Sequence, residues 1–353
     1  MNCCINCFRD THIRRIIENS NQAGDCDFCK TKNTIIFNVD DSSNPITEKV
    51  IGLIQIYAIS DNIDAKPINK ALYDDWDVFA IDSDIILSLV KMLCDAYYKC
   101  DADIFTKNVI IEQLTDKDFL REYGVVSGNS WDEFADSIKY GNRFHSGMFN
   151  SEQFASFLSI VKNVYPVNTV MYRARLSPDK HGFTKDEMQA PPKDKRTAGR
   201  INPEGIGVLY LSSDKATTLN EIRANAFDHV TIGEFYAKRD INVVNLSGFD
   251  KTSPFDYVNE LEGFAANRKV FKEIAAEIAK PLRRSDSALE YLPTQYVAEF
   301  IKAQNYDGVA YDSTLRQGGY NLAIFCVDDN IFECKGVETV EVAEILYRTQ
   351  PKI

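Results

Sequence analysis

Two pairs of cysteines constrain the first thirty residues more tightly than any other feature of the chain. Cys4 and Cys7 form one C-x2-C unit, Cys26 and Cys29 form a second, and 18 residues separate them. Zn²⁺ takes four tetrahedral thiolate ligands. One C-x2-C knuckle turns two thiolates toward a single ion, and a second knuckle closes the site. The expected module is a Cys4 zinc site within residues 1–32, with Cys3 as an alternative ligand beside Cys4. A closed four-thiolate site leaves no open position for substrate, so its expected role is in folding. Between the knuckles, Arg9 to Glu18 reads as one short helix, with Ile13, Ile16 and Ile17 at helical spacing. The opening MNCCINCFRDTH has no apolar leader, so the nine cysteines read as thiols or ligands in a reducing, cytoplasmic setting. Cys94, Cys100, Cys326 and Cys334 read as core thiols.

The 353 residues exceed the size of an ordinary domain, so at least two are expected. The longest apolar run, Val50 to Ile59, is about half the roughly 20 residues of a membrane span, and no membrane partner is expected. From 33 to 164 the pattern is helical, with candidates at Thr47–Ile59, Ser83–Tyr98, Ser130–Ile138 and Glu152–Val164. At Tyr165-Pro166 the character changes. Short strands follow, at Thr169–Arg173, Val208–Leu211, Val230–Phe235, Val243–Leu246, Gly308–Tyr311 and Leu322–Val327. Helices are expected at Lys215–Ala226, Asp256–Ala279 and Thr294–Ala303. The reading is thus α+β, in three parts: 1–32, 33–164 and 165–353.

The net charge is −12, and it is unevenly placed. Residues 40–140 hold 20 acids against 9 bases, which accounts for nearly all of it. An acidic helical half repels phosphates, which argues against nucleic acid as its partner. By contrast, Thr169–Arg200 holds eight bases against four acids. Such a strip reads as a phosphate-facing surface or as a solvated basic loop.

Four segments of the last part carry titratable and aromatic groups in order. MYRARL contains Arg173 on a strand, where a buried guanidinium needs an anionic partner, in a site or in a structural ion pair. GRINPEGIGVLYLSSDKATTLNEIR contains Arg200, Asn202, Tyr210 and Glu221, the last beside the apolar face of a helix. YDGVAYDSTL places Ser313 after a strand, as a turn cap or a site hydroxyl. GGYNLAIF contains Asn321.

Together these segments resemble the RES domain, named for its arginine, glutamate and serine. The YRxR strand, the GR-x-NP-x-G turn, a Tyr eleven residues before a Glu, DG-x-x-YDS and the later Asn all occur in order over about 165–330. By this resemblance Arg173, Glu221 and Ser313 fall on the signature positions, and Arg200, Tyr210 and Asn321 on further site positions. The resemblance implies a fold similar to ADP-ribosyltransferases and cleavage of the nicotinamide–ribose bond of NAD⁺. The family's known members are bacterial toxins paired with antitoxins. The residue types suit that reaction. A carboxylate stabilises an oxocarbenium-like ribose, arginine forks hold a diphosphate, and an aromatic face holds nicotinamide.

The first half resembles the HEPN-type domain found fused to RES domains, through its knuckle pair, CDFCK and DDWDVF. The R-x4–6-H of HEPN ribonucleases is missing around His145, so this half is expected to sense, bind or scaffold. The expected function is NAD⁺ glycohydrolysis or phosphorolysis by a toxin or phage-defence effector. An antitoxin or trigger would bind the first half, and self-association is expected. The alternatives are a protein ADP-ribosyltransferase, or a zinc-stabilised nucleic-acid-binding module with an inactive RES domain.

Overall fold

A computed structural model describes residues 1–41, 43–256, 261–280, 287–325, 327 and 331–345. The chain packs as two compact units, Met1–Gly128 with Lys251–Arg268, and Asn129–Asp250 with Lys269–Ile353. The pattern changes at 165, whereas the packing divides near 128. The reason is a set of aromatic side chains, in which Phe134, Phe149 and Phe154 pack with Tyr296 and Phe300 inside the second unit.

In the first unit, β1 (Asn2–Cys4), β2 (Gln22–Gly24) and β3 (Thr34–Asn38) form an antiparallel sheet with β3 in the middle. Helix α1 (Thr11–Glu18) starts where the Asp10 carboxylate accepts from the Ile13 amide at 2.8 Å. A second small sheet joins β4 (Ala58–Ile59), β5 (Lys66–Pro67) and β6 (Asn108–Ile110). Around it stand α2 (Pro45–Gln55), α3 (Ile68–Trp76), α4 (Ser83–Leu93), α5 (Asp95–Cys100) and α6 (Lys117–Tyr123). Residues 33–164 are therefore not all helical. β3 is a β-branched run, TIIFN, with a partner on each edge, and β6 pairs with two short strands. Among the described residues no helix is long and apolar enough to cross a membrane.

The second unit opens with α7 (Trp131–Tyr140), whose first turn is closed by a reciprocal Ser130–Glu133 capping box, and α8 (Ser151–Leu158). Eight strands follow: β7 (Lys162–Tyr165), β8 (Val170–Leu176), β9 (Leu209–Ser212), β10 (His229–Ala237), β11 (Ile241–Asn245), β12 (Gly308–Asp312), β13 (Tyr320–Ile324) and β14 (Phe332–Glu341). Helix α9 (Lys215–Ile222) links β9 to β10. Helices α10 (Gly248–Lys251), α11 (Leu261–Ala279) and α12 (Leu292–Ala303) lie between β11 and β12. The sheet order is β14-β10-β8-β9-β13-β12-β11-β7, antiparallel except between β11 and β12. Strands β7 and β14 are additions to the expected set, and the helix expected to reach Val164 ends at Leu158. The helix expected from Asp256 is described from Leu261, and residues 257–260 lie outside the described residues, as does Cys326.

One place in this sheet is thin. β8 and β9 share a single pair, Tyr172 opposite Ser212. Two residues further on, the Ala174 amide turns away from the ladder and donates to the Thr218 hydroxyl on α9 at 2.8 Å. Helix α9 thus enters where β8 and β9 part, and the candidate site opens at that seam.

Candidate active site

Alternation along β8 sends Met171, Arg173 and Arg175 to one face. Met171 is fully buried with Met188, Phe235 and Leu322. The Arg173 guanidinium donates through Nη1 to the carbonyls of Met188 and Gln189, at 3.0 and 2.7 Å. Burial, with Arg175 nearby, pushes its pKa down to about 10. Arg175 packs over the Phe183 ring at 4.1 Å and donates to the Glu187 carbonyl. The two arginines therefore fasten the segment 183–189 to the strand. Of the eight bases in 169–200, Arg173 and Arg200 line the cavity.

Glu221 sits in the last turn of α9, and its place is set at the other end of the helix. The Asp214 carboxylate caps the Thr217 amide at 2.9 Å and pairs with Arg316. Gly319 lies so close to α9 that an added Cβ would fall 2.3 Å from the Thr217 hydroxyl oxygen. These contacts dock the turn 313–319 on the helix. The turn then delivers Ser313, whose hydroxyl donates to Glu221 Oε1 at 2.8 Å. Asn321 Nδ2 donates to the same oxygen at 2.9 Å, and Ser212 Oγ donates to Asn321 Oδ1 at 2.7 Å. Ser212, Asn321 and Tyr311 are register partners across β9, β13 and β12.

The loop 197–206 forms another wall. Asn202 is buried, and its Nδ2 donates to the carbonyls of Thr197, Pro203 and Ile206 at 3.0, 3.2 and 2.9 Å. Its Oδ1 accepts from the Tyr210 hydroxyl at 2.8 Å. From α12, Gln295 Nε2 donates to the carbonyls of Gly199 and Asn202, and Thr294 Oγ1 donates to that of Arg200. A Cβ at Gly199 would meet both Asn202 Oδ1 and the Tyr210 hydroxyl at 2.9 Å, which explains the glycine. Arg200 is 8% exposed, stands 5.3 Å over the Tyr291 ring and donates to the Glu277 carbonyl. Burial pushes the phenols of Tyr210 and Tyr311 upward, so both are neutral at physiological pH.

These elements enclose a cavity of about 440 Å³. Arg173, Arg200, Tyr210, Glu221 and Asn321 line it, with Ser212 and Tyr311 between them and Arg223 and Lys280 further along its lining. Arg223 closes α9 in the left-handed region, at φ 50°. One carboxylate among four cations suits an anionic ligand that develops positive charge at one atom.

In the first unit the Sγ atoms of Cys4, Cys7, Cys26 and Cys29 lie within 4.8 Å of one another and can hold a metal ion. The pairs Cys4–Cys7, Cys4–Cys29 and Cys7–Cys26 are 3.9, 3.3 and 3.6 Å apart. Four thiolates at about 2.3 Å from a tetrahedral ion are themselves about 3.8 Å apart. The donor set therefore fits such a centre. Cys3, also buried, lies outside this set of four. Among the remaining thiols, Cys94 and Cys334 are buried, and burial pushes Cys94 up to about 12. Cys100, expected in a core, is exposed at the end of α5, a short helix without buried residues.

Residues 170–343, just under half of the chain, match the RES domain. Against solved structures, the chain is similar to one in the crystal structure of the M. tuberculosis MbcT–MbcA toxin–antitoxin complex. The identity is 13%, and the match covers 53% of this chain and 92% of that one at a TM-score of 0.33. No curated protein matches the chain.

Within the matched residues, five of the six expected site residues line one cavity, and Ser313 reaches it through Glu221. Ser212 and Tyr311 are not evident from the sequence. Asn202 belongs to the GR-x-NP-x-G turn, and its buried amide is what shapes that turn. Ser212 and Tyr311 are strand residues with the pattern of core positions, and only register across the sheet brings them to Asn321.

Proposed function

We propose that the chain breaks the nicotinamide–ribose bond of NAD⁺, as a glycohydrolase or phosphorylase, and serves as a toxin or defence effector. The observation that supports this best is the meeting of Glu221, anchored by Ser313 and Asn321, with Arg173 and Arg200 in one cavity. In this reading Glu221 stabilises positive charge at the ribose C1′ as nicotinamide leaves, and Ser313 and Asn321 hold its carboxylate. Arg173 and Arg200 take the diphosphate, and the Tyr210 ring takes nicotinamide. The thin seam between β8 and β9 suits an ADP-ribosyltransferase-like cleft between two halves of a sheet. The four thiols Cys4, Cys7, Cys26 and Cys29 would hold zinc as a structural centre. The acidic helical region is assigned, through its HEPN-type resemblance, to binding a trigger or an antitoxin in the cytoplasm.

Incubation of the full chain with NAD⁺ labelled in its ADP-ribose part tests the reading. Free ADP-ribose or its phosphate is the expected product, absent with Glu221→Ala. Label on protein assigns the chain to ADP-ribosyl transfer instead. Intact NAD⁺, together with a salt-dependent RNA or DNA mobility shift, points to a binding module with an inactive domain.

A further inference from the structure

We propose that Ser212 is the positioning residue that keeps the Asn321 amide aimed at Glu221, an inference that rests on the reading of Glu221 as the stabilising carboxylate. An ionised carboxylate only accepts hydrogen bonds, whereas an amide has a donor end and an acceptor end. Turned one way, Asn321 gives Glu221 an N–H. Turned the other way, it sets a carbonyl oxygen against a carboxylate oxygen. Asn321 is 4% exposed, so water has little room to mend the wrong orientation.

Ser212 decides the matter from the far side. Its hydroxyl donates to Asn321 Oδ1 at 2.7 Å, which leaves Nδ2 to face Glu221 at 2.9 Å. Ser212 is itself 4% exposed, and it is the register partner of Asn321 between β9 and β13. The backbone ladder therefore sets the spacing of the two side chains. The donors run one way, from Ser212 to Asn321 to Glu221, and the Ser313 hydroxyl arrives at the same Oε1. Two donors on one oxygen fix the plane of the carboxylate. Oε1 is then the anchored oxygen, and Oε2 is the one left for the ribose.

The test uses the full chain as wild type, Ser212→Ala, Asn321→Ala and the double variant. NAD⁺ turnover is measured for each, and the Asn321 side-chain amide is followed by proton–nitrogen NMR. Ser212→Ala is expected to lower kcat about tenfold with KM little changed, the scale of one hydrogen bond lost. The Asn321 amide signals should shift in Ser212→Ala. In the Asn321→Ala background, Ser212→Ala should have no further effect, since its partner is gone. A KM rise with kcat unchanged, unmoved Asn321 amide signals, or additive losses in the double variant would overturn the assignment. If wild type leaves NAD⁺ intact, the NAD⁺ reading fails, and the Asn321 amide signals alone decide the role of Ser212.

Discussion

The Ser313 hydroxyl and the Glu221 carboxylate, 92 residues apart in the chain, are joined by a 2.8 Å hydrogen bond. The bond depends on the turn 313–319 being held to the start of α9 through Arg316 and Asp214. A residue from a strand end and a residue from a helix thus act on one point of the cavity.

Removing that carboxylate should remove most of the proposed chemistry. Glu221→Ala and Glu221→Gln are each expected to lower NAD⁺ turnover by at least ~10²-fold, the usual scale for one preorganised electrostatic group. Glutamine retains the shape but not the charge. A glutamine variant with near wild-type turnover in a steady-state assay would remove Glu221 from the role.

Arg173 carries two duties, since it fastens residues 183–189 and lines the cavity. With its pKa pushed down to about 10, it remains charged at neutral pH by about a thousand to one. Above pH 10 the folded protein loses this proton while the unfolded chain keeps it. Stability from this group therefore rises with pH, while affinity for a diphosphate falls. KM for NAD⁺ should climb as pH passes 10. Arg173→Ala should raise KM at neutral pH and speed proteolytic cleavage within 183–189. Unchanged cleavage would contradict the fastening role.

The metal centre makes a prediction about one cysteine by contrast with its neighbour. Cys4→Ser and Cys26→Ser should lose bound zinc, whereas Cys3→Ser should retain one ion per chain by elemental analysis. Chelator should unfold residues 1–38 and the sheet that carries the knuckles, as followed by hydrogen exchange. Zinc loss in Cys3→Ser would put the ligand set one residue earlier.

The loop 197–206 hangs on one amide. Asn202→Ala leaves several buried carbonyls and the Tyr210 hydroxyl without that partner, and should cost about 1–3 kcal/mol in urea unfolding. Tyr210→Phe gives up one hydrogen bond and should cost about 1 kcal/mol while keeping its ring in the cavity. Nearly equal losses for the two variants would argue against Asn202 as the organiser of the loop.

Much of this site could be read in the sequence because its residues lie on regular elements with visible patterns. Arg173 alternates with its neighbours in the middle of a strand, and Glu221 lies in a helix whose Ser213-Asp214 start is visible. The strands of the RES domain were legible for the same reason, as short apolar runs between turns. What escaped notice depends on partners far along the chain. β14 exposes alternate polar residues at one edge of the sheet, so its FECKGVETVE lacks a strong apolar signal. β7 is four residues long, half of them polar, and forms the other edge. The small strands of the first unit are two to five residues long, too short for any periodicity to register. Arg175, read with Arg173 as part of a basic strip, is instead occupied by Phe183 and a backbone carbonyl.

The strand order has a consequence for how the protein comes into being. Arg173 leaves the ribosome 148 residues before Asn321, a delay of roughly 7–30 s at ordinary rates of synthesis. Strand β9, which forms one side of the seam, finds its long ladder partner only in β13. A nascent chain that already carries Arg173, Arg200 and Glu221 therefore has no finished cavity to put them in. The cavity can close only after β13 has been made.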